Sequence, residues 1–409
     1  MNRPATRLPS GAWEVFYLKG AMTGRTKFKG LIAMISLAVC LSGCSPDMTE
    51  ISEIAMVMAF GIDYDTESRK YTVTSYSVVP SALSAKDSGK LSEWVISAKG
   101  DSILEASKNL RSRSGRILIW QHNKFVLVGE TAARRAFFEI VDFLNRNRQI
   151  RMTSYLLVSE GKAIDKLNDN VETEDLLSND LLGKVRNEKE WGKSVSQILQ
   201  DIANWYPNPY RGFVTGRIGI SKLPDGSRDA LVLNGGAVID KGKFKAWLDG
   251  ERVIAVQLLS DKSKWGMLEF ARSFEFQSSQ VSLFFRVEHQ RIDSRCREGK
   301  PEIDIRLTLS ATMGEIDHQL PLGNPETIVK LEQAASDEIE KLVRESVAYY
   351  QKVLKSDILG FSERFAQYYP DDWEMLQKEW GSVYPVMPVS VHAKVKVEKM
   401  GMVKYTGVD

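Results

Sequence analysis

Cysteine is the residue type with the most legible chemistry in this chain, which has three: Cys40, Cys44 and Cys296. Two of them close the stretch "KFKGLIAMISLAVCLSGCSPD", residues 27–47. The apolar run from Leu31 to Gly43 is 13 residues, whereas a spanning helix needs ~20 to cross a ~30 Å hydrocarbon core. Thirteen fits the apolar part of an export signal, and Arg25, Lys27 and Lys29 supply the positive region ahead of it. Leu41-Ser42-Gly43-Cys44 has the form of a bacterial lipobox. Its small residues let the backbone lie extended in a peptidase cleft, and the thiol carries the lipid. Val39, before Cys40, is a poor fit at a cleavage position. Cys44 is therefore assigned as the lipid-attachment residue and the first residue of the exported chain, and residues 1–43 as the signal peptide. A start at Met22 gives a signal of 22 residues, a normal length, so residues 1–21 read as an upstream extension.

The other chemistry-bearing residues do not assemble into a motif. Asp63 and Asp65 hint at a calcium loop, but its glycine and closing glutamate are missing, and a solvated turn is expected. The four histidines are scattered and never pair at i, i+4 spacing. Cys296 stands alone in "SRCREGKPE", where an inert thiol in a charged loop is expected. Nucleophile elbow, Walker loop, zincin helix and dinucleotide fingerprint are all missing from the sequence. No catalytic, metal-binding or cofactor-binding residue is assigned, and the chain reads as a non-enzyme. Residues 1–43 hold six basic residues and one acid, which leaves 49 basic and 52 acidic residues in the exported part. A body so near neutral gives no electrostatic reason to bind nucleic acid.

The elements that must carry this surface follow from periodicity. At 409 residues, 43% apolar and 26% charged, the chain has room for two or three globular domains. Residues 53–80 read as two strands around a polar turn. A strand at 94–98 leads into a helix opened by Ser102 and Glu105, with Ile103, Leu104, Ser107 and Leu110 inward and Gly115 stopping it. "KFVLVG" (124–129) is a strand, and a helix over 131–147 turns Phe137, Ile140, Val141 and Leu144 to one side. A further strand covers 152–161. Strand–helix–strand–helix–strand with short links implies parallel strands. "NWYPNPYRG" (204–212) is the best linker candidate. Beyond it lie a hairpin turned by Lys241-Gly242, a helix beginning at Asp249 and two strands within 281–313. Asn324-Pro325 starts a long helix reaching about Ile358, with Ile328, Leu331, Ala335, Ile339, Leu342, Tyr349 and Val353 on its apolar face. In the closing strand Val389, Val391, Ala393, Val395 and Val397 point one way, and His392 lies on the wet side. The fold class is α+β: a βαβ-type N-terminal domain, and a C-terminal domain with a long helix on an antiparallel-rich sheet.

Several segments follow one another along the chain: "LSGC", "EISEIAMVMAFGIDYD", "DSILEASKNLRSRSGRILIWQHNKFVLVGE", "NRNRQIRMTSYLLVSEGKA", "GGAVIDKGKFKAWLDGE", "LKSDILGFSERFAQYYPDDWEML" and "PVSVHAKVKVEKMGMV". Together they resemble the Ger(x)C family, the lipoprotein C subunits of GerA-type nutrient receptors of bacterial spores. The stretch from Ser114 to Asn123 and the block from Asp357 to Trp373 are the most specific. Ser45-Pro46-Asp47-Met48 departs from the tryptophan and charged residues usual after the lipidated cysteine. The resemblance implies an accessory subunit on the outer face of the inner spore membrane, with membrane-embedded A and B subunits as partners. It brings no catalytic residues, only Cys44. The implied divisions are 44–205 (N-terminal domain), 213–285 (middle lobe) and 286–402 (C-terminal domain). A solute-binding lipoprotein of a transporter is the alternative, but it needs two similar α/β lobes and the sequence shows one such pattern. An exported hydrolase lacks any motif.

Overall fold

The computed structural model describes residues 53–79, 93–168, 176–222, 229–260, 268–316 and 324–399, with Lys29, Met34, Gly226 and Leu320. Cys44 lies outside the described residues. Among those described, no helix is long and apolar enough to cross a membrane.

Strand β1 (Ile54–Asp65) folds back on β2 (Lys70–Val78) as an antiparallel hairpin. Asp65 closes the turn by accepting the backbone N–H groups of Glu67 and Ser68, at 2.9 and 3.1 Å. β3 (Glu93–Gly100) adds to β2, and α1 (Ile103–Asn109) returns across one face of the sheet. Ser102 caps α1 by accepting from Glu105 N at 3.1 Å, while Glu105 Oε2 accepts from Asp101 N at 2.8 Å. The buried residues here are Ile103, Ala106 and Leu110, with Leu104 54% exposed. The inward stripe thus differs from the expected one, because the sheet below admits the i, i+3, i+7 row that starts at Ile103.

β4 (Ile117–Ile119) and β5 (Phe125–Gly129) both lie parallel to β1. The helix expected over 131–147 is two helices, α2 (Glu130–Arg135) and α3 (Phe137–Arg146), separated at Ala136 with φ −137°. Phe137, Ile140, Val141 and Leu144 are buried as expected. β6 (Tyr155–Ser159) is parallel to β5. The short α4 (Ala163–Leu167) and then α5 (Leu177–Trp191) pack on the opposite face of the sheet. β7 (Gln197–Ile198) and α6 (Leu199–Trp205) follow, then β8 (Phe213–Lys222), β9 (Asp229–Asp240) and β10 (Lys243–Leu248). The strand order is β10-β9-β8-β6-β5-β1-β2-β3, with the parallel run β8-β6-β5-β1 flanked by antiparallel strands. Lys241 (φ 50°) and Gly242 (φ 71°) supply the left-handed pair of a two-residue hairpin. Strands from 213–248 therefore belong to the same sheet as those from 54–159.

Asp63 corrects one expectation. It lies within β1, not in the solvated turn, and accepts Ala163 N at 2.8 Å and Ile164 N at 3.1 Å, so it caps α4 from a hundred residues away. Burial outweighs these two bonds and raises its carboxyl above the ordinary range.

Asp249 caps α7 (Gly250–Leu259) and the chain then builds a second sheet. Here β11 (Glu269–Phe276), β12 (Ser279–Arg297) and β13 (Lys300–Ile316) are antiparallel. Cys296 sits in β12 opposite Pro301, not in a loop, because Glu298 and Gly299 alone make the turn, with φ 52° and 73°. Burial first, then Asp372, pushes its thiol up to about 11.

Asn324 and Pro325 start α8 (Pro325–Tyr349) as expected. It ends earlier than Ile358, in a wider π-helical turn over Tyr350–Leu354 closed by Lys355 at φ 50°. That turn brings Tyr350 and Leu354 inward and leaves Val353 63% exposed, one residue off the expected stripe. α9 (Phe361–Tyr368), α10 (Pro370–Leu376) and α11 (Trp380–Val383) follow. β14 (Val389–Lys399) closes the sheet parallel to β13, with Val391 and Val395 buried and His392 exposed. Along its outer edge, side chains of α8 accept backbone N–H groups: Glu340 from Ala393, Ser336 from Val395 and Glu332 from Val397, at 2.9–3.0 Å. The fold is mixed α+β with two unlike sheets, the second covered by one long helix.

The segment 204–212, expected as a linker, is instead packed. Arg211 pairs with Glu363 and lies 4.4 Å over the Trp205 ring, and Tyr210 meets Trp373 edge-on at 5.3 Å. The prolines shape the segment without freeing it.

Candidate interaction groove

A concavity of about 770 Å³ opens on the α1/α3 face of the first sheet. Its floor is apolar, made by Phe60, Val73, Leu118, Trp120 and Phe143. Trp120 stands edge-on to Phe60 at 5.3 Å, an arrangement worth about 0.5–1.5 kcal/mol beyond its buried area. α1 supplies one wall and α3 with residues 147–150 the other. Leu104, turned away from the core, lines this opening. Burial, then the charge of Glu139, holds the Tyr71 phenol above its ordinary pKa.

The rim is charged. Asp101 pairs with Lys70 at 3.2 Å, and Asp142 with Arg146 at 2.8 Å. Among the described residues, the side chains of Lys108, Arg111 and Arg148 have no ion pair or hydrogen bond, and all three are exposed. Lys108 lies on α1, Arg111 in "LRSRSGR" and Arg148 in "NRNRQIR", and the helix-to-strand returns α1→β4 and α3→β6 enter the parallel strands at the same end. With Arg146 and the carboxylates of Asp101, Glu139 and Asp142, the lining holds four cations and three acids, a surplus of one positive charge. The groove also adjoins the point where the chain enters the sheet, since Leu118 pairs with Ala55 and Ile117 with Ile54.

The two most specific sequence stretches have mainly structural roles. Trp120 is half-buried in the groove floor, and Asn123 is buried, donating to Phe125 O at 3.1 Å and accepting from Ser154 Oγ at 2.6 Å. Asp357 is buried and accepts Phe361 N at 2.9 Å and Ser362 N at 2.6 Å, capping α9, and burial outweighs these bonds to raise its carboxyl pKa. Gly360 has φ 74°, and a Cβ there would meet the Arg211 guanidinium. Among the described residues, no group of three His, Cys, Asp or Glu side chains could hold a metal ion.

A second cavity of about 670 Å³ lies at the joint where 206–213 and 240–242 meet 355–357 and 377–384. In its walls Tyr206 Oη, Ser356 Oγ, Trp380 Nε1 and Tyr384 Oη are buried without a hydrogen-bond partner among the described residues. Phe138 is common to both cavities and packs on Tyr206, ring centres 5.5 Å apart.

Residues 47–220 match the family described as "Spore germination protein N-terminal domain", and 234–401 the family "Spore germination B3/ GerAC like, C-terminal". The chain is 24% identical over 401 residues to spore germination protein KC of Bacillus subtilis (strain 168), covering 91% of this chain and 96% of that one. It is 25% identical over 390 residues to putative spore germination protein YfkR of the same organism, covering 93% and 99%. The crystal structure of the GerBC protein superposes with a TM-score of 0.53 at 15% identity, covering 83% of this chain and 98% of that one, and so shares the fold.

Proposed function

Since this chain belongs to the Ger(x)C family of spore germination proteins, we propose that it is a lipid-anchored accessory subunit of a nutrient germinant receptor. It acts through contacts with membrane-embedded A and B subunits at the outer face of the inner spore membrane, and not by catalysis. The observation that carries this reading is the collinear match of both family domains across 47–220 and 234–401. The anchor rests on the basic and apolar leader ending in Leu41-Ser42-Gly43-Cys44. A lipidated cysteine concentrates a folded body beside its partners, so contacts too weak in solution become effective.

Cys44→Ala is expected to abolish incorporation of labelled palmitate and nutrient-triggered germination, while leaving the fold of the body intact. Spores of this variant that germinate normally on nutrients would overturn the role of the anchor.

A further inference from the structure

The groove combines two features that one class of ligand matches. Its floor is aromatic and aliphatic, and its rim carries three exposed cations that pair with nothing among the described residues. An anionic phospholipid has the same order of chemistry, a phosphate above an acyl chain. The place of the groove in the fold points the same way. Leu118 in its floor pairs with Ala55, two residues after Glu53, and Ile117, 47% exposed, pairs with Ile54. Cys44 is nine residues before Glu53, and nine residues span at most about 30 Å whatever their conformation. A lipid on Cys44 would hold this end of the molecule at the membrane surface.

We infer that the groove between α1 and α3 binds an anionic phospholipid of the membrane beside which the chain is tethered. Lys108, Arg111 and Arg148 take the phosphate and the Phe60–Trp120 floor takes acyl carbons. The inference rests on the anchored reading for its orientation, and its chemistry is testable without the anchor. Each cation held near an anionic surface adds to binding within a Debye length, so the site would be sensitive to salt. It would give the subunit a second membrane signal beside its lipid and fix which face its partners meet.

The test uses the full exported chain as Cys44→Ala, without lipid, mixed with phosphatidylcholine vesicles with and without phosphatidylglycerol. Sedimentation is expected with the anionic vesicles alone, weakening as salt is added. Arg111→Glu with Arg148→Glu is expected to lower vesicle affinity at least about tenfold at an unchanged melting temperature. Loss of binding in the single variant Trp120→Leu, with both arginines kept, would add that the floor takes part. Equal binding to neutral vesicles, or anionic binding untouched by the charge reversal, would overturn the inference. So would no vesicle binding at all, which leaves the groove to an acidic protein partner. Saturable heat from inorganic phosphate without vesicle binding would overturn it too, assigning the cations to a soluble anion. Palmitate labelling of the unsubstituted chain scores the anchor separately, so either can fail alone.

Discussion

The groove beside β4 and the cavity at the joint differ little in size, about 770 against 670 Å³, yet they treat polar groups in opposite ways. In the groove the unpaired groups are full charges left in water, where an unmet cation costs little. At the joint they are neutral hydroxyl and indole groups sealed from water, where each unmet bond carries a desolvation cost. The first arrangement suits a surface that exchanges solvent for a partner. The second suits a clamp whose aromatic packing, through Tyr210, Trp373, Trp380 and Tyr384, outweighs the orphaned atoms. Similar volumes therefore do not mean similar roles.

The sharpest way to break this contrast is at Asp357. Asp357→Ala leaves two buried N–H groups unmet, and a loss of about 2–3 kcal/mol is expected in urea denaturation. Arg111→Glu with Arg148→Glu at the groove should move stability by no more than about 0.5 kcal/mol. If the two changes cost the same, the distinction between clamp and contact surface fails.

Tyr384→Phe gives a finer measure. Its hydroxyl has no partner among the described residues, so removing it should raise stability by up to about 1 kcal/mol. A loss of that size would mean that the joint satisfies the hydroxyl in solution.

The smallest effect is a pH dependence. Burial, then Glu139 and Asp142, pushes the Tyr206 phenol up to about 12. The folded chain therefore holds a proton that the unfolded chain releases near 10. Stability from this group is present below pH 10 and lost as pH rises from 10 to 12. Tyr206→Phe should flatten the fall of the denaturation midpoint over that range, and identical slopes for both proteins would remove Tyr206 as its source.

Much of the architecture was legible in the sequence because local signals agreed with the tertiary outcome. Phe137, Ile140, Val141 and Leu144 recur at helical spacing and are buried together, Lys241-Gly242 turns a hairpin, and Asn324-Pro325 starts the long helix. The failures have a common cause in long-range contacts. Asp63 looked like part of a turn because its two donors lie a hundred residues away. Val353 looked buried because a regular 3.6-residue repeat does not foresee the π turn that selects Leu354. The groove was invisible for the same reason, since Arg111 and Arg148 line one cavity only because two crossovers enter the parallel strands at the same end. The arginines of "LRSRSGR" and "NRNRQIR" were the available signal, masked by a body balanced in charge.

The side chains of α8 along β14 carry a consequence for how copies of this chain can associate. Four helical residues rise about 6 Å, and two strand residues about 6.6 Å. Glu332, Ser336 and Glu340 can therefore keep pace with Val397, Val395 and Ala393, one acceptor for each outward N–H. An open strand edge is a template on which neighbouring copies can polymerise. Here three of its donors are already engaged, so lateral stacking of one copy on the next finds no free ladder there. Two copies brought side by side at β14 can then touch through side-chain surfaces without zipping strand to strand there.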